Sequence, residues 1–297
     1  MKTVSVYIPT RNRPEFLKRA LNSLVKQQHK AFQVLVCDDG SSAENKSRVV
    51  AVIEEYRQRF SDLVFFNEPE SRGACHARNR MIEAADGNYI TGLDDDDEFL
   101  PDRLRAFLES RQLDRYAYLS AGKIVDDGNV SFESLETRGE ITLDKLLHFN
   151  MAGNQVFTRT EHLRAVGGFD ERFSSWQDYD LWVRLTQAFG SGYKVEKCTY
   201  RWHVGHELGR ISNPAKVSAG YHQFVDKHGS LLSRRHRQSL AVQDRVQSEL
   251  PLTLGFVLAN INTRTCYPLS KHLARSQFPA LFLLLRNLMR TAGGSKA

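Results

Sequence analysis

The stretch VSVYIPTRNRPEFLKRALNSLV, residues 4–25, predicts how the chain begins to fold. Apolar residues alternate from Val4 to Thr10 and the run stops at Pro9, a pattern that predicts a β-strand. After the polar turn TRNR, apolar side chains recur at helical spacing, at Phe16, Ala20, Leu21, Leu24 and Val25. A strand followed directly by a helix is the repeating unit of α/β domains.

The same strand–helix order repeats along roughly the next 80 residues, and each repeat has about the length expected of a strand–helix unit. Strands are predicted at Gln33–Cys37, Leu63–Phe66 and Tyr89–Leu93, and helices at Glu44–Arg59 and in ACHARNRMIEAA. This alternation predicts a mainly parallel sheet flanked by helices. In such sheets, ligands bind beyond the carboxyl ends of the strands.

A polar cluster follows each predicted strand: TRNR, DDGSS, ESRG and DDDD, in that order. A parallel sheet would bring all four clusters to one rim. Four consecutive aspartates, Asp94–Asp97, repel one another unless they are solvated or neutralised by a cation. An acidic surface turn is the alternative, but the convergence of four polar clusters favours a ligand site with a metal.

The pattern changes after Pro101. Tyr118–Val125 and Val130–Phe132 flank DDGN, a hairpin signal, and the strand-like NQVFT precedes a short helix at Glu161–Val166. Another helix is predicted at Tyr179–Phe189, and from Val217 the chain is helical and basic. The second half is therefore expected to have mixed topology.

The composition is that of a globular protein, with 41% hydrophobic and 26% charged residues in 297. From Leu231 onward there are ten Lys or Arg and two acids, so this tail carries +8 in a chain of +6 and should face an anionic partner. Four scattered cysteines without CxxC spacing argue against a zinc site or disulfide framework and fit a reducing compartment. No signal peptide is expected before the strand at Val4.

Five segments resemble the family 2 glycosyltransferases of the GT-A fold: VYIPTRNRPEFLKRALNSLVKQ, VLVCDDGSS, RGACHARN, YITGLDDDDEFLPDRL and WQDYDLWVRL. The resemblance covers roughly Val4–Ser212. It implies an α/β GT-A domain at residues 1–213, with a Rossmann-like, mainly parallel sheet flanked by helices. Residues 1–104 would bind the nucleotide-sugar and 105–213 the acceptor, and residues 214–297 would form a helical, basic C-terminal extension.

The resemblance also implies an activity. The enzyme would move a hexose from a UDP-sugar to a hydroxyl of a glycan or lipid-linked glycan acceptor, with inversion and with Mn²⁺ or Mg²⁺ as cofactor. It would act in bacterial surface polysaccharide or lipopolysaccharide synthesis, in the cytoplasm or at the cytoplasmic face of the inner membrane. No nucleic acid partner is expected.

Site residues are carried over from the family motifs. The nucleotide-binding set is Pro9, Thr10, Arg11, Asn12, Arg13, Asp39, Arg78, Asp94 and Asp95. Asp96 is the expected metal ligand, joined by His203, with His206 as a competitor. Asp178 is the expected catalytic base, although Gln177 replaces the usual glutamate before it. With an ordinary pKa of about 3.9, this aspartate would be ionised at neutral pH.

Three other functions fit the sequence less well. A sugar-1-phosphate nucleotidylyltransferase needs a Gly-rich loop after the first strand, and IPTRNRP lacks it; the GxGxxG of a Rossmann dehydrogenase is also missing. A non-catalytic glycan-binding or scaffold module is disfavoured because Asp39, Asp96 and Asp178 are all retained.

The apolar run FPALFLLL, residues 278–285, is far shorter than the roughly 20 residues that span a bilayer, and Arg286 and Arg290 follow it. It is expected to lie on an anionic membrane surface. Packing on the catalytic domain or on a second subunit is the alternative, which leaves a homo-oligomer open.

Overall fold

The computed structural model describes residues 4–135, 138–204 and 214–277. The chain divides into two compact units. The first comprises Met1–Leu146, Asn150–Phe173 and Gln177–Arg210, and the second comprises Leu147–Phe149, Ser174–Trp176 and Ile211–Ala297. The predicted run at residues 278–285 and His206 lie outside the described residues.

The first unit alternates strands and helices and then adds a more irregular half. In chain order the elements are β1 (Val4–Thr10), α1 (Pro14–Val25), β2 (Phe32–Asp38), α2 (Ala43–Arg57), β3 (Leu63–Asn67), α3 (Ala74–Glu83), β4 (Tyr89–Gly92), β5 (Glu98–Phe99), α4 (Arg103–Leu108), β6 (Tyr118–Asp126), β7 (Ser131–Ser134), β8 (Gly139–Ile141), α5 (Leu143–His148), β9 (Phe157–Arg159), α6 (Thr160–Ala165), α7 (Gln177–Phe189) and β10 (Gly192–His203).

Within the described ranges, ten strands form one sheet in the order β3-β2-β1-β4-β9-β6-β10-β5, with β7 beside β6 and β8 beside β10. The four strands β3, β2, β1 and β4 are parallel, whereas β9 runs antiparallel to both β4 and β6. The predicted α/β class is confirmed, and the sheet is parallel in its first half and mixed beyond it. The helix predicted from Tyr179 begins earlier, at Gln177, and the long strand β10 was not predicted.

The core lies around the central strands. Every residue of β1 and β2 is buried, as expected of parallel strands covered on both faces. Leu17, Leu21 and Leu24 of α1 belong to the same buried cluster as Val49 and Ile53 of α2. Each such side chain contributes roughly 1.5–3 kcal/mol by leaving water, so this packing fixes the strand ends that carry the polar clusters.

The loop after β2 requires a glycine, and Gly40→Ala tests this. Gly40 has φ +65°, and a Cβ there would lie 2.3 Å from the backbone of Glu70 and Ser71. We expect the substitution to lower the free energy of unfolding by about 2 kcal/mol or more. The alanine would be strained by the positive φ, and the backbone of the neighbouring loop would also have to move away from its Cβ. Urea denaturation measures this loss.

Gly167 is the matched control. Its φ is +76°, but a Cβ there would meet nothing within 4 Å. Gly167→Ala therefore carries the left-handed strain without the clash, and it should cost less than Gly40→Ala. Equal losses for the two variants would show that the close approach of the two loops is unimportant.

The second unit is helical. Its further elements are α8 (Pro214–His228), a 3₁₀ turn (Gly229–Leu231), α9 (Arg234–Gln247), α10 (Leu254–Asn260) and α11 (Cys266–Gln277). Trp176 packs against Tyr221 and Phe224, with ring centroids 5.8 and 5.5 Å apart. Across the described residues, no helix combines the length and hydropathy that crossing a bilayer requires.

Candidate active site

The ends of β1, β2 and β4 meet at one rim of the sheet. The backbone N–H of Asp39 donates to the carbonyl of Thr10 at 2.9 Å, and that of Leu93 donates to the carbonyl of Tyr7 at 2.9 Å. The polar turns that follow these strands are therefore neighbours. This is the convergence that a parallel sheet predicts.

The four aspartates after β4 differ in exposure. The side chains of Asp94 and Asp96 are 20% and 28% exposed, whereas that of Asp95 is 8% exposed and Asp97 is buried. Alternate carboxylates thus point toward the open rim. The open pair is therefore Asp94 and Asp96.

The other two aspartates tie the turn to the fold. Asp95 accepts a hydrogen bond from the Thr10 hydroxyl at 2.7 Å. Asp97 accepts from the Tyr200 hydroxyl at 2.8 Å and from the His203 backbone N–H at 3.0 Å. Asp95 and Asp97 hold the turn in place for the open pair.

Asp94 is held by a chain of buried polar groups. Its Oδ1 accepts from Arg78 Nη2 at 2.9 Å and from Gln155 Nε2 at 3.0 Å, and the Tyr7 hydroxyl donates to Gln155 Oε1 at 3.0 Å. A Cβ on Gly92 would lie 2.0 Å from that Oε1, so only glycine leaves room for this chain. Arg78 and Asp94, predicted to share the site, are brought together.

The electrostatics of the turn suit a cation. Burial raises the pKa of Asp95 to about 7, against the opposing charge of Arg13, and raises the pKa of Asp97 well above its ordinary value. Burial also raises the pKa of Asp94, although Arg78 acts to lower it. These carboxylates lack sufficient positive charge around them, and their oxygens are the donors that Mg²⁺ and Mn²⁺ prefer.

Arg13 closes the turn from the β1 side. Its Nη1 lies 3.3 Å from Asp95 Oδ1 and 3.2 Å from Asp96 Oδ2, and Arg19 donates to the backbone carbonyl of Asp96. The TRNR turn and helix α1 therefore each supply one arginine to the acidic turn.

The remaining residues of the first turn have different positions. Asn12 has φ 56° and bridges two loops: its N–H donates to Ser41 Oγ at 2.7 Å, and its Oδ1 accepts from the Ser42 N–H at 2.8 Å. Pro9 is buried within β1, and Arg11 is exposed at the rim. The contacts of Asn12 are with the protein's own loops.

Asp39 organises the loop before α3. Its carboxylate accepts from Ser71 Oγ at 2.7 Å, from the Arg72 N–H at 2.8 Å and from the Gly73 N–H at 3.0 and 3.1 Å. These bonds bring the ESRG loop to the rim. A nucleotide base that donates a hydrogen bond to Asp39 must share or replace one of the hydrogen bonds that Asp39 accepts here.

Asp178 lies in the first turn of α7. Its Oδ1 is buried and has no hydrogen-bond partner among the described residues. Burial raises its pKa to about 7, with Arg78 acting to lower the pKa and Asp94 to raise it. Asp178 thus belongs to the same electrostatic cluster as Arg78 and Asp94, with a pKa well above the 3.9 of an ordinary aspartate.

Asp180, two residues after Asp178 in α7, has a structural role. It is fully buried and paired with Arg184 at 2.7 Å, and Arg184 also donates to the carbonyls of Val166 and Gly168. Asp180 therefore anchors α7 rather than serving chemistry.

His203 is paired with a carboxylate. Its Nε2 lies 2.8 Å from Glu98 Oε1, and this hydrogen bond is the main cause of the lowered pKa of Glu98. No sequence pattern predicts Glu98, Gln155 or Tyr200 as parts of the site, because only the tertiary structure brings them to the rim. Tyr7 could have been noticed as the polar-tipped residue of an otherwise apolar strand.

The comparison with protein families decides the identity. The Glycosyl transferase family 2 model matches residues 5–167, more than half of the chain. The chain belongs to glycosyltransferase family 2. It is a glycosyltransferase, as the resemblance predicted.

Similar proteins agree with this assignment. This glycosyltransferase is 32% identical over 241 residues to WcaA of Escherichia coli K12, whose name assigns it provisionally to colanic acid biosynthesis; the match covers 79% of this chain and 84% of that protein. It is 28% identical to a GalNAc(5)-diNAcBac-PP-undecaprenol beta-1,3-glucosyltransferase of Campylobacter jejuni, with 74% and 72% covered.

A solved structure shows the same fold. TarS 1-349 of S. aureus, in complex with UDP-GlcNAc, aligns with a TM-score of 0.66 at 19% identity, covering 92% of this chain and 81% of that chain. At this identity the likeness concerns the fold of the glycosyltransferase.

Proposed function

We propose that this glycosyltransferase moves a hexose from a UDP-sugar to a hydroxyl of a glycan acceptor, with inversion and with Mn²⁺ or Mg²⁺ as cofactor. The observation that carries the proposal is the grouping of Asp94, Asp96, Arg78 and Asp178 at one rim, two carboxylates open and the third with a buried, unpaired Oδ1. The acceptor is a bacterial surface polysaccharide intermediate carried on a lipid.

The nucleotide is assigned to the rim between the first two turns. The residues proposed to hold it are those of the family motifs: Pro9, Thr10, Arg11, Asn12, Arg13 and Asp39, with Asp94 and Asp95. Arg78 has Nε and Nη1 buried without partners among the described residues, beside Asp94. A guanidinium with donors to spare suits a diphosphate, which accepts in a planar, bidentate geometry.

The donor set fits a divalent cation at Asp96, with Asp94 beside it. When bound there, the cation would neutralise the charge that builds on the departing β-phosphate oxygen. For His203 to join the ligands, its Nδ1 must serve, because Nε2 is paired with Glu98.

Asp178 is assigned as the general base. The acceptor oxygen bonds to the anomeric carbon as the bond from that carbon to the β-phosphate oxygen breaks, and the hydroxyl proton passes to Asp178. The electron pair of the broken bond leaves with UDP. A base on the face opposite the leaving group gives inversion.

The acceptor class is supported by relatives. One matched protein is named for colanic acid biosynthesis, and another carries an undecaprenol-linked acceptor in its name. We therefore propose that the enzyme acts in the cytoplasm, at the cytoplasmic face of the inner membrane.

The rate of transfer is expected to rise with pH, with a midpoint no higher than about 7. Burial holds the pKa of Asp178 at about 7, and only its ionised form can take the proton, so protonation at lower pH removes the base. A bound divalent cation adds positive charge nearby, which sets the midpoint at or below this value. The measurement is kcat at saturating donor from pH 5 to 8.

UDP affinity over the same pH range is the control, because UDP binding should depend on the protonation of Asp94–Asp97 and not on that of Asp178. A kcat that does not change between pH 5 and 8 would contradict this role of Asp178. A kcat that falls only in step with UDP affinity would assign the titration to Asp94–Asp97.

A donor screen tests the whole proposal. Purified protein is incubated with Mn²⁺, a panel of UDP-sugars and lipid-linked or free glycan acceptors, and UDP release is measured. Release that depends on the acceptor supports the proposal. Release of pyrophosphate from UTP and a sugar phosphate would indicate a nucleotidylyltransferase, and no release with any pair would indicate a binding module.

A further inference from the structure

Helix α10 of the second unit packs on α9 through one side. The Arg245 guanidinium of α9 lies over the Phe256 ring at 4.4 Å, and Gln238 Nε2 donates to the Ala259 carbonyl at 2.8 Å. Thr253 caps the helix by accepting from the Phe256 N–H at 3.2 Å. These contacts fix which side of α10 faces outward.

The outward side is apolar. Leu254, Leu258 and Ile261 follow one another at the i, i+4, i+7 spacing of a helical stripe and are 75%, 68% and 51% exposed. Tyr267, in the first turn of α11, is 71% exposed. We call these four residues the α10 face.

The exposure is concentrated there. Nine large hydrophobic residues are exposed among the described residues, and five of them lie between Leu250 and Tyr267. Apolar side chains scattered singly over a surface need no explanation, but a grouped set marks an interaction surface.

The segment that carries the α10 face has charges of one sign. Residues 250–297 contain no Asp or Glu, and they contain six Lys or Arg. Arg264 and Lys271, both exposed, lie on either side of Tyr267 in the chain. A partner for this face must therefore offer an apolar region that can bury these side chains, together with negative charge.

We propose that the α10 face docks on the surface of an anionic phospholipid bilayer. Leucine, isoleucine and tyrosine side chains would enter the boundary between headgroups and acyl chains, while Arg264 and Lys271 contact anionic headgroups. A second copy of the chain fits less well, because both sides of such a contact would carry Arg264 and Lys271, with no acid in residues 250–297 to meet them. The inference rests on the proposed function only for its purpose, which is access to a lipid-linked acceptor.

Vesicle co-sedimentation of the full-length protein tests the proposal. Vesicles of phosphatidylcholine with 30% phosphatidylglycerol, on the order of the charge density at which basic surfaces bind, are compared with pure phosphatidylcholine at low salt. The double variant Leu254→Ser, Leu258→Ser is expected to lower the partition coefficient for anionic vesicles by at least about 10-fold, because two leucines no longer leave water. Arg264→Glu should weaken binding to the anionic vesicles alone.

Val130→Ser is the matched control, since Val130 is an exposed apolar residue of the first unit. It should bind vesicles as the wild type does. All variants change exposed side chains, so thermal melts should coincide. The proposal is overturned by a wild type that does not bind anionic vesicles, or by a double variant that binds them unchanged.

Sedimentation velocity distinguishes a second copy. A wild-type dimer that becomes a monomer in the double variant would make another chain the occupant of this face. The vesicles hold neither donor nor acceptor, so their result does not depend on sugar transfer. A donor screen with no UDP release would refute the proposed function, but it would not change the vesicle-binding result.

Discussion

Asp178→Asn is expected to keep UDP binding and to lower the rate of transfer by about 10² or more, the usual worth of a general base. Asparagine has nearly the shape of aspartate but cannot take the proton of the acceptor hydroxyl. The Oδ1 of Asp178 has no partner among the described residues, so the change breaks no hydrogen bond there. Calorimetry gives UDP affinity, and initial rates give transfer, for the same preparation.

The variant should also remain folded. A carboxyl whose pKa rises on folding contributes stability at low pH that is lost as pH rises from its ordinary 3.8 through about 7. Above pH 7 the wild type therefore carries a burial cost that Asp178→Asn lacks. Its melting temperature at pH 8 should equal or exceed that of the wild type, which separates lost chemistry from lost structure.

Asp180→Asn is the matched control from the same turn of α7. Asp180 is buried against Arg184, so its replacement should lower the melting temperature. The folded fraction should still transfer sugar. If Asp178→Asn transfers at nearly the wild-type rate, the base lies elsewhere. Retention of anomeric configuration in the wild-type product would refute the inverting mechanism itself.

The first half of the fold could be predicted because its signals are local. Strands β1 and β2 are buried on both faces, so they are nearly continuous apolar runs, and each is followed by a turn and an amphipathic helix. The residues that follow their ends were placed correctly at one rim for the same reason.

The second half follows weaker signals. Strand β10 has the mixed sequence GYKVEKCTYRWH, is only partly buried and shifts register between Val195 and Cys198 and again before Tyr200. No alternating pattern survives such irregularities, so the strand could not be predicted. Gln155 was missed likewise, because its place beside Asp94 depends on how the chain before β9 meets β4.

Removing the metal is expected to abolish transfer. We expect activity to vanish in EDTA and to return with Mn²⁺ or Mg²⁺. The leaving diphosphate gains negative charge beside several carboxylates, so a cation is needed to neutralise it. Asp96→Ala should lower transfer by about 10² or more even with metal in excess, by analogy with the loss of other groups that stabilise leaving charge. Mn²⁺ binding followed by electron paramagnetic resonance should weaken in the same variant.

Two outcomes separate this assignment from a merely structural acidic turn. The Asp96 side chain is 28% exposed, against 20% for Asp94 and 8% for Asp95, so Asp96→Ala should not lower the melting temperature. Asp97→Asn breaks bonds from Tyr200 and the His203 N–H, so it should destabilise the turn more than it changes metal affinity per folded molecule. Full activity of Asp96→Ala in EDTA would remove the metal from the reaction and leave the open aspartates without their proposed role.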